Sequence, residues 1–213
     1  MRFSITEERE VKKFFIIFYI IGILGMIIPY TLPLFKILTP LALLLSFGYL
    51  VFFHPTKKDA VANWIFLFIF FAGFIVEVIG VKTGIIFGGY AYGNGLGLKL
   101  WDTPLLIGVN WLFLVYTSAC ILDKTKLAAW AKVIVASSIM IVYDLILEQV
   151  APKMDMWAWD ANSVPVQNYI AWFTIALFFH SLLKLFKVKL SNPLAVHILV
   201  CQFVFFIFLL FLL

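Results

Sequence analysis

Long apolar runs alternate with short polar or aromatic stretches along the whole chain. Seven runs stand out: Phe14 to Tyr30, Ile37 to Phe53, Ala62 to Val81, Pro104 to Leu122, Leu127 to Glu148, Pro165 to Leu183 and Pro193 to Leu213. A bilayer core about 30 Å thick is crossed by roughly 20 apolar residues in a helix. Unpaired backbone is not tolerated there, so the runs predict helices rather than open strands. The first run follows the charged segment Glu7 to Lys13 and ends in Met26-Ile27-Ile28-Pro29-Tyr30 without a small-residue cleavage pattern, which reads as a retained span. The expected fold is all-α: a polytopic integral membrane helical bundle of about seven transmembrane helices, with residues 1–213 forming one integral membrane domain.

Composition supports this reading. Hydrophobic residues make up 64% of the chain, charged ones 13%, and the mean hydropathy is +1.08, too little polar side chain to clothe a soluble globule. The distribution of charge then predicts an orientation. The N-terminal segment and the loops after the second, fourth and sixth runs hold eleven basic residues: Arg2, Arg9, Lys12, Lys13, Lys57, Lys58, Lys124, Lys126, Lys184, Lys187 and Lys189. The other side holds four, Lys36, Lys82, Lys99 and Lys153. The positive-inside rule therefore places the N-terminus in the cytoplasm and the C-terminus outside the cell (inner) membrane. This bias and anionic lipid account for the net charge of +5, with no nucleic acid as partner.

Several chemistries have no residues to carry them. Cys120 and Cys201 both fall inside runs, where packing is the expected role and no disulfide is expected. His54, His180 and His197 are isolated, with no second ligand at helical or loop spacing, so no metal is expected. No phosphate-cradling glycine loop, dinucleotide fingerprint or acyl-transfer nucleophile motif is present, so no cofactor is expected either.

What stands out instead is a set of residues that lipid should exclude. Glu77 lies about one turn before the end of the third run, and Asp144 and Glu148 lie four apart on one helix face at the end of the fifth. Both runs lead from inside to outside, so all three carboxyls are expected at a similar depth near the outer surface. An ionisable group in a span is costly and ordinarily faces a bundle interior or wet cavity, although capping a helix end at headgroup level is an alternative for Glu148. The loops that follow are unusual on the same side. Gly80 to Gly97 is rich in glycine and tyrosine, including Tyr90 and Tyr92, and reads as a folded or re-entrant segment. After Glu148 come Trp157-Ala158-Trp159-Asp160, then Pro165 and Asn168. An aromatic belt would explain tyrosine and tryptophan alone. It does not explain their clustering with acids and glycines, nor the amides that the fourth and sixth runs bring near tryptophans: Asn110-Trp111, and Asn168 with Trp172. A weak internal symmetry links the halves, since Glu77, Tyr90 and Tyr92 map onto Asp144, Trp157 and Trp159 with a constant offset of 67. Such a parallel repeat would put a ligand between its two copies.

These residues together resemble a known family. Glu77-x-x-Gly80-x-x-x-Gly84-x-x-Phe87-Gly88-x-Tyr90-x-Tyr92, with Leu96-Gly97, Pro104 and Trp111, precedes Asp144-Leu145, Trp157-x-Trp159 and Pro165-x-x-Asn168-Tyr169-x-x-Trp172. The pattern, spanning residues 77–172, resembles the membrane carotenoid biosynthesis family that includes carotenoid 1,2-hydratases and bisanhydrobacterioruberin hydratase. Two positions depart from it: Glu148-Gln149 stands where the family tends to have aspartate-proline, and Ser163-Val164-Pro165 replaces a glycine before isoleucine-proline. The resemblance implies a carotenoid substrate taken from the lipid bilayer and a hydro-lyase activity: hydration of the terminal C1–C2 double bond of an acyclic or monocyclic carotenoid to a tertiary alcohol. That chemistry needs an acid to protonate C2, shielding for the cation at C1, and a water with a base nearby. Carboxyls near helix C-termini in low dielectric suit the task of holding a proton, and indole and phenol faces stabilise cations. On this reading Asp144 is the proton donor, Glu77 or Glu148 orients the water, and Tyr90, Tyr92, Trp157 and Trp159 line the cation. Trp111, Asn168 and Trp172 complete the substrate site. A lycopene-cyclase type of enzyme would use the same acid and aromatics while excluding water. A lipid or small-solute carrier would use the carboxyls as a proton relay and return its ligand unchanged.

Overall fold

A computed structural model describes residues 5–54 and 59–213. Arg2, Lys57 and Lys58 of the basic set lie outside the described residues. The described residues form seven α-helices: α1 (Ile5–Ile27), α2 (Leu32–Phe52), α3 (Ala60–Thr83), α4 (Leu106–Asp123), α5 (Ala129–Val150), α6 (Val166–Leu185) and α7 (Ala195–Leu212). Of these, α2 to α7 are long and apolar enough to cross a membrane. The architecture is the expected all-α polytopic bundle.

Two helix starts differ from the hydropathy pattern, for identifiable reasons. α1 begins nine residues before the apolar run, because its charged segment is itself a good helix: Glu8 pairs with Lys12 and Glu10 with Lys13 (2.8 Å), both with the acid N-terminal to the base. Its charges leave Phe14–Ile27 as the uncharged stretch, about 21 Å of helix, which is why α1 is not among the six. α2 begins at Leu32, where Pro33 occupies the first turn that tolerates it, and continues through Pro40. The ends of α3 are capped by chemistry visible in the sequence: Asp59 accepts a hydrogen bond from the Ala62 amide (3.1 Å), and Gly84, at φ +66°, closes the helix with a bond to the Gly80 carbonyl (2.8 Å).

α4 is the hub. It packs against α2, α3, α5, α6 and α7 and is buried along nearly all of its length, and its small and polar residues (Gly108, Thr117, Ser118, Cys120) allow that close approach. His180 of α6 ties the hub to α5 and α6 by hydrogen bonds with Ser118 (2.9 Å) and Ser137 (3.0 Å). α2 is the opposite case: it touches α1 and α4 along a limited seam and exposes most of its surface. Cavities flank it on both sides.

The segment after α3 is a folded loop, and it meets the one after α5. Strand β1 (Tyr90–Tyr92) pairs antiparallel with β4 (Trp157–Trp159), in the register Tyr90 with Trp159, Ala91 with Ala158 and Tyr92 with Trp157. Between them, β2 (Lys99–Leu100) and β3 (Thr103–Pro104) form a small hairpin leading into α4. Because β1 and β4 pair, α3 and α5 run toward the same end of the bundle, and α4 and α6 start from it.

Candidate active site

The strand pair explains why aromatic residues recur at alternate positions. A strand points successive side chains to opposite faces, so in Tyr-Ala-Tyr and Trp-Ala-Trp the four rings turn into the bundle while Ala91 and Ala158 face out. Cross-strand ring pairs lock the register: Tyr90 and Trp159 lie 5.0 Å apart by centroid, Tyr92 and Trp157 6.0 Å. Loop-to-loop bonds hold the ends, from the Asp160 amide to the Gly89 carbonyl (3.1 Å) and from the Gly93 amide to the Met156 carbonyl (2.9 Å). At Gly88, φ is +108° and a Cβ would come within 2.6 Å of Pro165 Cγ, so this turn requires glycine.

Beneath the strands lie two carboxyls, each held by three donors. Glu77 Oε2 accepts from the Tyr90 hydroxyl (2.6 Å) and the Tyr92 hydroxyl (2.7 Å), and Oε1 from the Trp111 indole N–H (2.9 Å). Glu148 Oε2 accepts from the indole N–H of Trp157 (2.9 Å) and of Trp159 (2.7 Å), and Oε1 from the Asn168 amide (3.2 Å). Each carboxyl thus takes two donors from the strand that follows its own helix and one from the helix after that. Burial first, and the neighbouring Glu77 second, push the Tyr90 and Tyr92 phenols well above their ordinary range, so both remain donors. Trp111 and Trp172 stack 4.3 Å apart between the halves. Trp111 reaches this place because Gly73 of α3 offers no side chain; a Cβ there would stand 2.7 Å from Trp111 Cβ.

The arrangement has a local two-fold symmetry. The offset of 67 makes Tyr90, Ala91 and Tyr92 equivalent to Trp157, Ala158 and Trp159, and the observed pairing exchanges those equivalents about an axis midway between Ala91 and Ala158. The sequence pattern matched Glu77 to Asp144; the hydrogen bonds instead make Glu148 its counterpart. The connections from α3 to β1 and from α5 to β4 are equally long, six residues each (84–89 and 151–156), yet the carboxyl beneath β4 comes from one turn nearer its helix end.

Glu77, Tyr90, Tyr92, Glu148, Trp157, Trp159, Asn168 and Trp172 line one enclosed space of about 20 Å³, enough for a single water. Trp111 joins it through Glu77. Asp144 does not line it. It is fully buried behind Asn168, whose amide donates to Asp144 Oδ2 (3.1 Å) as well as to Glu148, and Asp144 Oδ1 has no hydrogen-bond partner among the described residues. Beside this space, and sharing Ile107 and Trp157 as walls, is a far larger cavity of about 580 Å³. It is bounded by α1, α2, α4, α5 and α7 and is almost wholly apolar. Two of its polar wall residues, Tyr143 and Gln202, are not among the expected site residues. The signal was present, since Gln202 is a lone amide in the apolar run of α7 and Tyr143 adjoins Asp144.

Among the described residues, no group of three or more histidine, cysteine, aspartate or glutamate side chains is placed to hold a metal ion. Cys120 and Cys201 are free thiols.

An apolar helical bundle with a buried carboxyl-and-aromatic site at one end, beside a cavity walled almost wholly by apolar side chains, defines an integral membrane protein. Residues 33–213 match the family described as carotenoid biosynthesis protein, and the chain belongs to it. Its role is therefore in carotenoid biosynthesis. No curated protein and no solved structure matches the chain. α1 precedes the matched stretch, yet Tyr19, Gly22 and Met26 of α1 wall the large cavity.

Proposed function

We propose that the chain is a cofactor-independent carotenoid 1,2-hydratase, a hydro-lyase that adds water across the terminal C1–C2 double bond of an acyclic or monocyclic carotenoid. The observation that carries this reading is the pairing of two cavities: an apolar one of about 580 Å³ beside a polar one of about 20 Å³. The first suits the end of an isoprenoid chain and the second a single water held between carboxyls.

In the proposed reaction, Asp144 is the source of the proton that reaches C2; it lines neither cavity, so delivery requires the Asn168 side chain in front of it to move aside. The unpartnered Oδ1 of Asp144 fits a carboxyl that carries a proton rather than one fully occupied as an acceptor. Three buried carboxyls with no basic side chain hydrogen-bonded to them have to share protons, since several uncompensated charges in low dielectric are too costly. The positive charge at C1 then faces the rings of Tyr90, Tyr92, Trp157 and Trp159, whose quadrupoles contribute about 0.5 to 2 kcal/mol per contact in ordinary cases. Water held by Glu77 or Glu148 attacks C1, and its proton passes to that carboxylate and, through the cluster, back to Asp144. The net change is the addition of one water, with every protein group restored. A site for a water favours hydration over a cyclase, which would have to keep water away from the same cation.

We further propose that residues 1–213 act as a single membrane domain in the cell (inner) membrane, with the N-terminus cytoplasmic and the site toward the outer face. Arg9, Lys12, Lys13, Lys124, Lys126, Lys184, Lys187 and Lys189 support this orientation. The test of function is expression in cells that make an acyclic carotenoid. Pigments carrying a new tertiary hydroxyl are expected; cyclised pigments of unchanged mass would support the cyclase, and unchanged pigments a carrier.

A further inference from the structure

Two residues that wall the large cavity, Tyr143 and Gln202, each carry a buried polar atom that the surrounding protein leaves unused. The Tyr143 hydroxyl and Gln202 Oε1 are buried, 3% and 7% exposed by residue, and neither has a hydrogen-bond partner among the described residues. Two other polar wall residues are satisfied internally: the Tyr19 hydroxyl pairs with Ser46 Oγ (2.9 Å), and Thr39 Oγ1 donates to the Phe35 carbonyl (3.1 Å). A buried polar atom without a partner is costly and uncommon, and two on the wall of one hydrocarbon cavity point to a ligand that supplies the missing bonds.

Their placement is rigid. The Tyr143 ring is packed between Phe203 and Phe206 of α7, with both centroids 5.9 Å away, one stacked and one edge-on. Gln202 directly precedes Phe203, so α5 and α7 bring a buried phenol O–H and a buried amide oxygen to residues that wall the same cavity. An alcohol is the simplest group that satisfies both, since its oxygen accepts from the phenol while its proton goes to the amide oxygen. A hydrocarbon satisfies neither.

We infer that Tyr143 and Gln202 form a hydroxyl-recognising subsite, and that the large cavity selects an isoprenoid chain bearing a hydroxyl over the parent hydrocarbon. This rests on the reading of that cavity as the chain-binding pocket. It makes both residues determinants of specificity rather than catalytic residues, and it gives the alcohol a tighter hold than the alkene.

Binding is measured by quenching of tryptophan fluorescence in full-length protein in detergent, with an acyclic C40 polyene and its terminal tertiary alcohol as the two probes. The wild type is expected to bind the alcohol about ten- to a hundredfold more tightly. Tyr143→Phe and Gln202→Met are each expected to lose most of that preference while holding the hydrocarbon at wild-type affinity or better, which also shows that the variant is folded. Equal affinity of the wild type for both probes overturns the subsite, as does a preference that survives in both variants. Because no turnover is required, selective binding without hydration would overturn the hydratase reading and leave the subsite standing; hydration without selective binding would do the reverse.

Discussion

Asp144 differs from the two glutamates near it by what it lacks. Glu77 and Glu148 each accept three hydrogen bonds, whereas Asp144 accepts one and keeps a free oxygen. An amide at Asp144 preserves the size of the group but has no proton for carbon, so Asp144→Asn should lower kcat by about 10² to 10⁴ with little change in KM. Glu148→Gln is the comparison, because the indoles of Trp157 and Trp159 can still donate to the remaining carbonyl oxygen. Steady-state kinetics on the purified variants check this; near-native turnover in Asp144→Asn together with a dead Glu77→Gln would move the proton donor to Glu77. At this scale the acids were legible because charge inside an apolar run is conspicuous. The different use made of each was not, since it depends on donors contributed by Trp111 and Asn168 from helices that follow later in the chain.

Helices and strands divide in the same way. The apolar runs located all seven helices, because lipid demands long uninterrupted stretches and the polar breaks between them are short. α1 and α2 begin earlier than hydropathy suggests, since the ion pairs of Glu8 and Glu10 and the position of Pro33 favour helix where mean hydropathy sees only charge or a break. The pairing of β1 with β4 was visible only as a shared Tyr-x-Tyr and Trp-x-Trp spacing; three-residue strands have too little periodicity to announce themselves. α1 carries a prediction of its own, as the helix outside the family match that walls the large cavity. A Cβ at Gly22 already lies 3.2 Å from Phe205, so Gly22→Phe should drive a ring into the cavity. The expected result is polyene binding weakened about tenfold, a loss of about 1.4 kcal/mol, with the fold intact by circular dichroism. Unchanged affinity would mean that the chain does not occupy this cavity.

For the whole molecule, topology does the organising. Two helices that end on one side, α3 and α5, deliver their carboxyls beneath a strand pair, and two that begin there, α4 and α6, deliver Trp111 and Asn168. On the proposed orientation, in which α1 crosses the membrane beside α2 to α7, reporters fused to the two ends should place the N-terminus in the cytoplasm and the C-terminus outside; both on one side would contradict α1 crossing the membrane. The central claim is that a water, rather than part of the substrate, reaches the cation. The most direct measurement incubates purified protein with an acyclic carotenoid in water labelled with heavy oxygen and reads the product by mass spectrometry. The account predicts a tertiary alcohol heavier by one labelled water, with its oxygen drawn from the solvent. A cyclised isomer of unchanged mass, or the substrate returned intact by a protein that binds it, would contradict it.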